Sequence, residues 1–295
     1  EAKGFVPNIE RLLLAVDDSA NGQFATRIGG MIAGHRGSPT TVMHIKNDKK
    51  TGKAAAEAEK AQAKAAGETM REIARQTREA EVADSPEDKQ PEKTLDITTR
   101  LEKSPEPEAI AEEAEKGYDL LVIGVENTTV RQSDFHENVA NLALSFEGPL
   151  AVVEARDLHR DDPLHGRLNI LVPVNGTEPS RRGAEVAVVL ARASKARLTA
   201  IYVTPASARN KRPAQHEEAI LADIAALAKA YGLELRTAIR SDMAADQAIL
   251  KEMSRRRSTL LVMGVGRRSG DKLFFGDTAA ALLEKSRKSL LFVAS

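Results

Sequence analysis

The fold of this chain is decided by residues 259–284, TLLVMGVGRRSGDKLFFGDTAAALLE. The stretch opens with an apolar run at 260–263 and continues, after Gly264, into a loop rich in glycine and arginine. An Ala/Leu-rich segment follows Gly276, Asp277 and Thr278. An apolar run of this kind is typical of a strand covered on both faces in a parallel sheet. The stretch therefore predicts a buried strand, a loop and a helix.

This strand–loop–helix unit is also a candidate binding site. A helix that begins just after such a strand directs its unpaired backbone N–H groups at whatever lies above the strand end. Gly264, Gly266 and Gly276 would let the backbone approach a ligand closely. The alternative is a plain connection between a strand and a helix. The binding interpretation is favoured because the same layout occurs earlier in the chain.

The chain consists of two similar halves. Aligning Val16 with Val174 places Asp17 on Asn175, at the end of the first strand of each half. Matching strands are predicted at 12–16 and 168–174, at 41–45 and 198–203, at 119–124 and 259–264, and at 150–153 and 290–293. Strands that alternate with helices at this spacing predict a doubly wound parallel α/β sheet in each half. Such sheets bind ligands outside the carboxyl ends of the strands, where the strand order reverses.

Composition excludes several classes of function. The chain has 295 residues, 42% of them hydrophobic, which is enough for two ordinary domains. Lys plus Arg and Asp plus Glu both number 43, and this zero formal charge argues against a general role on nucleic acid or a membrane surface. There is no cysteine, so we expect a reducing, cytoplasmic location and no disulfide or thiolate metal site. No apolar run approaches the roughly 20 residues of a membrane span.

The domain boundaries follow from breaks in the pattern. We predict a first domain at 1–155, a linker at 156–166 and a second domain at 167–295. The linker, RDLHRDDPLHG, holds residues that could be read as metal ligands, but clustered polar residues in a linker are more often solvated. These are His159, Asp161, Asp162 and His165.

The first half carries a long charged insertion at about 47–91. Residues 53–66 are rich in Ala, Glu and Lys and lack large apolar side chains, so this part of a helix should project or fray. From Met70 onward an apolar stripe appears, and that part should pack. Residues 84–92, with two prolines, are predicted to form a loop.

Two tandem β/α halves that each begin with a strand running into D-D-S or N-G-T resemble the universal stress protein family. The resemblance covers about residues 9–155 and 167–295. It implies two tandem five-stranded sheets of order 3-2-1-4-5, the universal stress protein / adenine nucleotide alpha hydrolase-like fold. ATP-binding members carry Gly-x2-Gly, nine residues and Gly-Ser/Thr after the fourth strand. Their adenosine end contacts the Asp of the first strand and the end of the second strand.

Carried onto this chain, the resemblance implies an adenine nucleotide site in the second half. Its candidate residues are Val174, Asn175, Val203, Gly264, Gly266, Arg267, Arg268, Gly276, Asp277 and Thr278. The motif's second glycine falls on Arg267, and the spacer before Gly276 is one residue short. Asp277 should be a good helix N-cap, but it puts negative charge where a phosphate would lie. The site then binds ATP or another adenine nucleotide with a bridging Mg²⁺, takes a less charged ligand or holds none; Arg267 and Arg268 could offset the charge.

The first half departs further from the family motif. Gly124 remains, but Asn127 stands at the second glycine, and Glu137-Asn138 stand where Gly-Ser should be. Glu137 should cap its own helix and repel phosphate. We therefore expect the first half to be a structural partner of the second.

Some stretches show a narrower resemblance. GFVPNIERLLLAVDDSANG, NILVPVNGTEPSRRGAEVA and GVGRRSGDKLFFGDTAAALLE resemble the tandem universal stress region at the cytoplasmic C-terminus of certain bacterial cation:proton (Na⁺/H⁺ type) antiporters. The chain opens with Glu1 rather than methionine, so we expect a piece of a longer protein. The resemblance implies a regulatory module that senses an adenine nucleotide and acts on a membrane domain of the same chain.

Two other functions stay open. The chain could be a free-standing tandem universal stress protein that binds ATP. It could also be a nucleotide-hydrolysing enzyme, but Ser19 and Thr177 have no recognisable histidine partner, so we expect no catalysis. His44 and His136 could approach the first-half cleft, although a core or surface histidine is commoner.

The last strand of each half suggests how the halves meet. The strands at 150–153 and 290–293 are apolar edge strands, and bare edges invite pairing. We expect them to pair antiparallel, which would make the two halves an intramolecular pseudo-dimer. We also expect the protein to form a homodimer.

Overall fold

The computed structural model of the chain describes residues 4–45, 53–84, 96–102, 107–129, 135–204, 215–241, 243–267 and 273–295. In the first half the strands are β1 (Leu12–Val16), β2 (Thr40–Ile45), β3 (Ile97–Glu102), β4 (Leu120–Gly124) and β5 (Leu150–Glu154). Its helices are α1 (Ala20–Arg36), α2 (Lys53–Asp84), α3 (Pro107–Ala114) and α4 (Glu137–Leu144). A short helix, α5 (Leu158–Asp161), lies between the halves.

The second half repeats this order. Its strands are β6 (Asn169–Pro173), β7 (Arg197–Val203), β8 (Leu235–Arg240), β9 (Leu260–Val265) and β10 (Ser289–Ala294). Its helices are α6 (Glu178–Ser194), α7 (Gln215–Ala230), α8 (Ala245–Arg256) and α9 (Asp277–Lys285). The predicted alternation of strands and helices is therefore confirmed in both halves.

The strands form one continuous sheet of order β3-β2-β1-β4-β5-β10-β9-β6-β7-β8. Within each half the order is the predicted 3-2-1-4-5, and neighbouring strands are parallel. The prediction of two sheets needs correction, because β5 pairs with β10 and joins the halves into ten strands. That pairing is antiparallel, as expected for the two apolar edges, and runs from Leu290↔Glu154 to Ala294↔Leu150.

Two hydrophobic cores cover the two faces of the sheet. One contains apolar side chains of α1, α2, α6 and α7, and the other contains those of α3, α4, α8 and α9. Each core runs through both halves, which gives three layers, helix on sheet on helix. Among the described residues no helix is both long and apolar enough to cross a bilayer.

The insertion forms the single long helix α2. Residues 56–62 are mostly exposed, as predicted for a projecting segment. The prediction is wrong from Ala63 onward, because Ala63 is buried and Ala65 and Ala66 line a cavity beside Asp17. Small side chains let this part of the helix lie close to the first-half sheet. The loop predicted at 84–92 lies outside the described residues beyond the end of α2.

An ion pair is repeated between the third strand and third helix of each half. Arg100 on β3 contacts the buried Glu113 on α3, with Nη1 2.7 Å from Oε2. Arg240 on β8 likewise donates through Nε to Oε2 of the buried Glu252 on α8 at 3.0 Å. Burial alone would raise the pKa of both glutamates, but hydrogen bonds from neighbouring cations hold it below the usual value.

The linker is partly a packed element rather than a solvated one. His159 is fully buried and stacks on Phe24 of α1, with ring centroids 4.4 Å apart. Its Nδ1 lies 2.9 Å from Ser289 Oγ at the start of β10, and Nε2 lies 3.3 Å from the carbonyl of Arg167. The expectation that these polar residues are simply solvated is therefore wrong for His159, which ties the linker to both halves.

The buried imidazole predicts a stability change at mildly acidic pH. Burial, together with the nearby Arg27, lowers the pKa of His159 from 6.5 to about 4. The folded state therefore favours the neutral ring. This contribution is complete above pH 6.5 and is lost as the pH falls towards 4, on the order of 3 kcal/mol in all. The melting temperature of the wild type should fall over this range more steeply than that of His159→Gln, measured by circular dichroism. Parallel pH profiles for the two proteins would contradict the assignment.

Candidate functional site

The carboxyl edge of the second-half sheet brings most of the predicted site residues together. Val174 and Asn175 follow β6, Val203 ends β7, and Gly266 follows β9. Gly276, Asp277 and Thr278 stand at the start of α9, which follows the same edge. The site residues thus come from three neighbouring parallel strands and one helix N-terminus, as expected at the point where the strand order reverses.

Strands β6 and β9 separate before they reach this edge. Their pairing covers only Ile170↔Leu260 and Leu171↔Leu261. The equivalent strands of the first half, β1 and β4, stay paired to their ends at Val16↔Gly124. The separation begins near Pro173, which aligns with Ala15 of the first half. The Val174 N–H donates to the Ile201 carbonyl of β7 at 2.8 Å. Because successive N–H groups of a strand point to opposite sides, an N–H at position 173 would point towards β9. Proline has no N–H, so this hydrogen bond to β9 is missing.

The next residue, Asn175, also turns away from β9. Its backbone N–H donates to the side-chain hydroxyl of Ser180 on α6 at 3.1 Å. Its side-chain Oδ1 accepts from the Thr177 N–H at 3.1 Å and from the Thr177 hydroxyl at 2.7 Å. Asn175 is exposed, so its amide nitrogen remains a donor that a ligand can reach. The turn after β6 is therefore held by its own residues and leaves the space between β6 and β9 open.

The same position in the first half is closed. The Asp17 N–H donates to the Gly124 carbonyl at 3.3 Å, and the Glu126 N–H donates to Asp17 Oδ2 at 2.7 Å. Asp17 Oδ1 accepts from the Ser19 N–H at 3.0 Å and also from its hydroxyl. Burial raises the pKa of Asp17 against the opposing effect of these hydrogen bonds. The carboxylate that would meet a ligand thus ties β1 to the loop after β4.

A second side chain fills the first-half cleft further. Asn21 on α1 donates through Nδ2 to the Val125 carbonyl and to the Thr128 hydroxyl, each at 2.8 Å. Its Oδ1 accepts from the Ala155 N–H at 2.7 Å. In the first half, side chains of the protein itself therefore occupy the position that would face a ligand.

The cavity beside the turn after the first strand is larger in the second half than in the first. In the second half a cavity of about 490 Å³ extends from Val174 and Gly176 between α6 and α7, with Ile220 and Ile224 on its apolar side. Its size lies within the range of about 300–1,000 Å³ that is usual for small-molecule sites. The corresponding cavity beside Asp17 measures about 190 Å³ and is bordered by α2.

Gly264 needs a different explanation from the predicted one. A Cβ on Gly264 would lie 1.7 Å from the Pro179 carbonyl oxygen in the first turn of α6. Gly124 is comparable, because its Cβ would lie 2.3 Å from the Ala25 Cβ on α1. The first glycine of the motif is therefore needed in both halves for close packing of a helix on the strand. Within the part of the chain that the structure describes, no atom lies within 4 Å of a Cβ built on Gly266.

The start of α9 also departs from the prediction. Gly276, with φ of 94°, is the N-cap, a backbone conformation that favours glycine. Asp277 is the first helical residue and is exposed, so it is not the capping residue. In the first half His136 caps α4 by accepting the Asn138 N–H at 3.2 Å, and Glu137 is again the first helical residue rather than the cap. Each acid still adds negative charge at a helix N-terminus.

Of the two arginines in the loop after β9, the structure describes Arg267 but not Arg268. The guanidinium of Arg267 is directed to the first half, where it donates to the carbonyls of Phe146 at 2.6 Å and Ala143 at 2.8 Å. The prediction that Arg267 offsets charge in the cleft is therefore wrong for this structure, because its donors are engaged at the end of α4. Arg268 lies outside the described residues.

The histidines give no catalytic arrangement in the described part of the chain. His44, at the end of β2, places Nε2 2.9 Å from Asp18 Oδ1, and its buried Nδ1 has no hydrogen-bond partner. His136 serves as the cap of α4. Over the described ranges, no group of three or more His, Cys, Asp or Glu side chains could hold a metal ion.

Sequence reasoning overlooked two residues that shape the cleft. Pro173 was treated as an ordinary strand residue, although a proline in a central strand signals a lost ladder hydrogen bond. Ser180 is not among the predicted site residues, and its bond to Asn175 depends on the tertiary path of the turn. The first signal was present in the sequence, whereas the second was not.

Comparisons with known proteins agree with this fold. A profile described as "Universal stress protein family" matches residues 8–154 and 166–294. A universal stress protein from Archaeoglobus fulgidus DSM 4304 is 16% identical, with 97% of this chain and 98% of that chain covered and a TM-score of 0.56. A functionally unknown protein from Pseudomonas aeruginosa PAO1 is 17% identical, with 98% and 94% covered and a TM-score of 0.53.

A shorter structure is similar to part of the chain. It is a universal stress protein from Archaeoglobus fulgidus in complex with dAMP, 15% identical, with 43% of this chain and 97% of that chain covered and a TM-score of 0.36. No curated protein sequence matches the chain at a significant level. At these identities the structural likenesses concern the fold.

The two glycines of the loop should respond differently to the same substitution. Gly264→Ala forces a methyl group into the Pro179 carbonyl, so we expect it to destabilise the protein by about 3 kcal/mol or more. Gly266→Ala enters open space and should change stability by less than about 0.5 kcal/mol. Urea unfolding of both variants measures the difference. Equal losses would show that the loop after β9 packs differently from this description.

Proposed function

Because the chain belongs to the universal stress protein family, we propose that it is a tandem universal stress protein that binds an adenine nucleotide in its second half. The observation that carries this proposal is the early separation of β6 from β9. It leaves an open cleft at the topological switch point, where doubly wound sheets bind their ligands. The first half closes the same position with Asp17 and Asn21 and serves as a structural partner.

The residues around the cleft suggest how a nucleotide would lie. The amide of Asn175 can donate to a ribose hydroxyl, in the place of the Asp of ATP-binding relatives. The base would lie towards Val203 and the apolar side of the neighbouring cavity. The phosphate end would approach Gly266 and the N-terminal backbone N–H groups of α9, which begins at Asp277.

Charge at the cleft limits what the site would accept. Two helices begin here, and the first residue of each is acidic: Glu178 on α6 and Asp277 on α9. Both side chains are exposed, and Glu178 is paired with Arg182, so Asp277 is the acid that would oppose phosphate more strongly. With Arg267 engaged in the first half, a triphosphate would need Mg²⁺ to offset this charge, and a nucleotide with fewer phosphates would not.

We further propose that the protein is the cytoplasmic regulatory module of a cation:proton antiporter. The support is the resemblance of three stretches, which begin at Gly4, Asn169 and Gly264, to the C-terminal region of such transporters. Nucleotide binding would alter transport by favouring one of two arrangements of the module against the membrane domain. The reading frame upstream of Glu1 tests this: membrane-spanning segments are expected there, and a start codon without them would leave the free-standing protein.

The remaining parts of the proposal concern assembly and catalysis. The halves would act as the two subunits of a pseudo-dimer, and whole chains would associate as a homodimer. The protein would bind its nucleotide without hydrolysing it. Turnover of ATP that is lost in Gly276→Glu would instead favour the enzyme.

Nucleotide binding can be tested with a pair of matched variants. Calorimetric titration of the wild type with ATP, ADP, AMP and cyclic di-AMP, with and without Mg²⁺, should detect binding by at least one of them. Gly276→Glu should abolish it, because a bulky acid replaces the glycine at a φ of 94°. His136→Glu puts the same acid at the corresponding position of the first half and should bind as the wild type does. Binding that survives in Gly276→Glu, with its fold intact by circular dichroism, would exclude this cleft.

The negative charge of Asp277 should lower the affinity of the site for ATP. Asp277→Asn removes a negative charge from the start of α9, so without Mg²⁺ it should bind ATP about threefold more tightly. Its affinity for adenosine, which has no phosphate, should stay unchanged. Glu137→Gln makes the same change on α4 and should alter neither affinity. If the ratio of the ATP and adenosine affinities is the same in Asp277→Asn and the wild type, Asp277 does not face the phosphates.

A further inference from the structure

We infer that the first half positions the ligand cleft of the second, through Arg156 and Arg267 acting as two arginine clamps across the β5–β10 seam. Each clamp is an arginine that caps the C-terminal end of a helix in the other half. The inference rests on the proposed function, since it assigns these residues a part in ligand affinity. It differs from a general role in stability because both clamps attach to walls of the same cleft.

The first clamp holds the strand side of the cleft. Arg267 follows Gly266, and its guanidinium bridges the Ala143 and Phe146 carbonyls at the end of α4. These carbonyls belong to the helix end, where intrahelical partners run out and a cation is favoured. The Arg267 backbone N–H also donates to the Ser295 carbonyl at 3.3 Å. The residue next to the open cleft is thus fixed to the first half by its side chain and to β10 by its backbone.

The second clamp holds the helix side of the cleft. Arg156 follows β5, and its guanidinium donates to the Leu283 carbonyl at 2.7 Å and the Ser286 carbonyl at 2.6 Å. Both carbonyls lie at the C-terminal end of α9, whose N-terminal end carries Gly276 and Asp277. The helix has only nine residues, so fixing one end restricts the other.

An aromatic cluster supports the same wall. Phe135 of the first half meets Phe275 edge-on, with ring centroids 5.0 Å apart, and Phe275 lies 5.8 Å from Phe292 on β10. Phe275 directly precedes Gly276, the N-cap of α9. The first half therefore contacts α9 at both ends, at its C-terminus through Arg156 and just before its N-terminus through Phe135.

These contacts pre-organise the cleft, which is a known source of affinity. A ligand that binds between Gly266 and the start of α9 meets walls already held at a fixed separation. Removing one clamp lets one wall move and adds an ordering cost to binding. By linkage, an occupied cleft should in turn stabilise the seam, so the first half senses the ligand without touching it.

The experiment compares four arginine variants of the full chain. Arg156→Ala and Arg267→Ala should each weaken ATP binding about tenfold in calorimetric titration, well below their melting temperatures. Arg27→Ala is the control. In the wild type, Arg27 on α1 donates to the carbonyl of Gly166 in the linker at 2.7 Å. The substitution removes this contact, which lies at the amino edge of the second half and away from the cleft. It should lower the melting temperature and leave ATP affinity unchanged. Arg267→Lys should recover only part of the loss, because an ammonium does not bridge two carbonyls as a guanidinium does.

A second measurement needs no ligand. The Ala280 amide donates to the Gly276 carbonyl at 3.0 Å in the first turn of α9. Its hydrogen exchange should be faster in Arg156→Ala than in Arg27→Ala. Clamp variants that bind ATP like the wild type, or an Arg27→Ala variant that loses as much affinity, would overturn the inference. If the wild type binds no ATP or other adenine nucleotide, the proposed function fails, and exchange at Ala280 alone decides whether the clamps position α9.

Discussion

The antiparallel pairing of β5 with β10 is the contact on which the other long-range interactions depend. Both strands are almost wholly buried, and unpaired edges of this kind would leave rows of backbone donors and acceptors unsatisfied. Because the pair is antiparallel, the carboxyl edge of each half lies beside the amino edge of the other. Arg156 can therefore reach the end of α9, and Arg267 the end of α4. A parallel pairing would bring neither arginine to a helix end.

The two halves share one sheet topology, but different residues at two equivalent positions close the cleft in the first half and leave it open in the second. Where the first half has Ala15, β1 continues its ladder with β4, and where the second half has Pro173, the ladder with β9 stops. In the first half, the Asp17 carboxylate accepts a hydrogen bond from Glu126 in the loop after β4. In the second half, the Asn175 side chain accepts one from Thr177 in its own turn. The difference between the halves is thus local, and the sheet order is unaffected.

The sequence predicted the fold better than the site for a physical reason. Alternating apolar runs and helical stripes depend on burial, which is written along the chain, so the alternation of strands and helices and the β5–β10 pairing were predicted from the residues. The strand order within each half was an implication of the family resemblance and is also observed. Arg267 was assigned to the cleft because it stands where the family motif has its second glycine, but its direction is set by α4, 121 residues away in the chain at Phe146. His159 was assigned to a solvated linker because its neighbours are polar, yet Phe24 and Ser289 bury it.

The repeat itself separates packing residues from ligand-facing ones. Gly124 and Gly264 occur in both halves because each strand must touch the helix that follows the first strand of its half, whatever the cleft contains. The buried Glu113 and Glu252 each have an arginine of the adjacent strand as partner, because a buried carboxylate without a cation would be costly. At the turn after the first strand the halves differ instead, with Asp17 bonded to the loop after β4 and Asn175 bonded within its own turn. The first half thus keeps the packing contacts of the repeat and closes its own cleft position, and it holds α9 of the second half through Arg156.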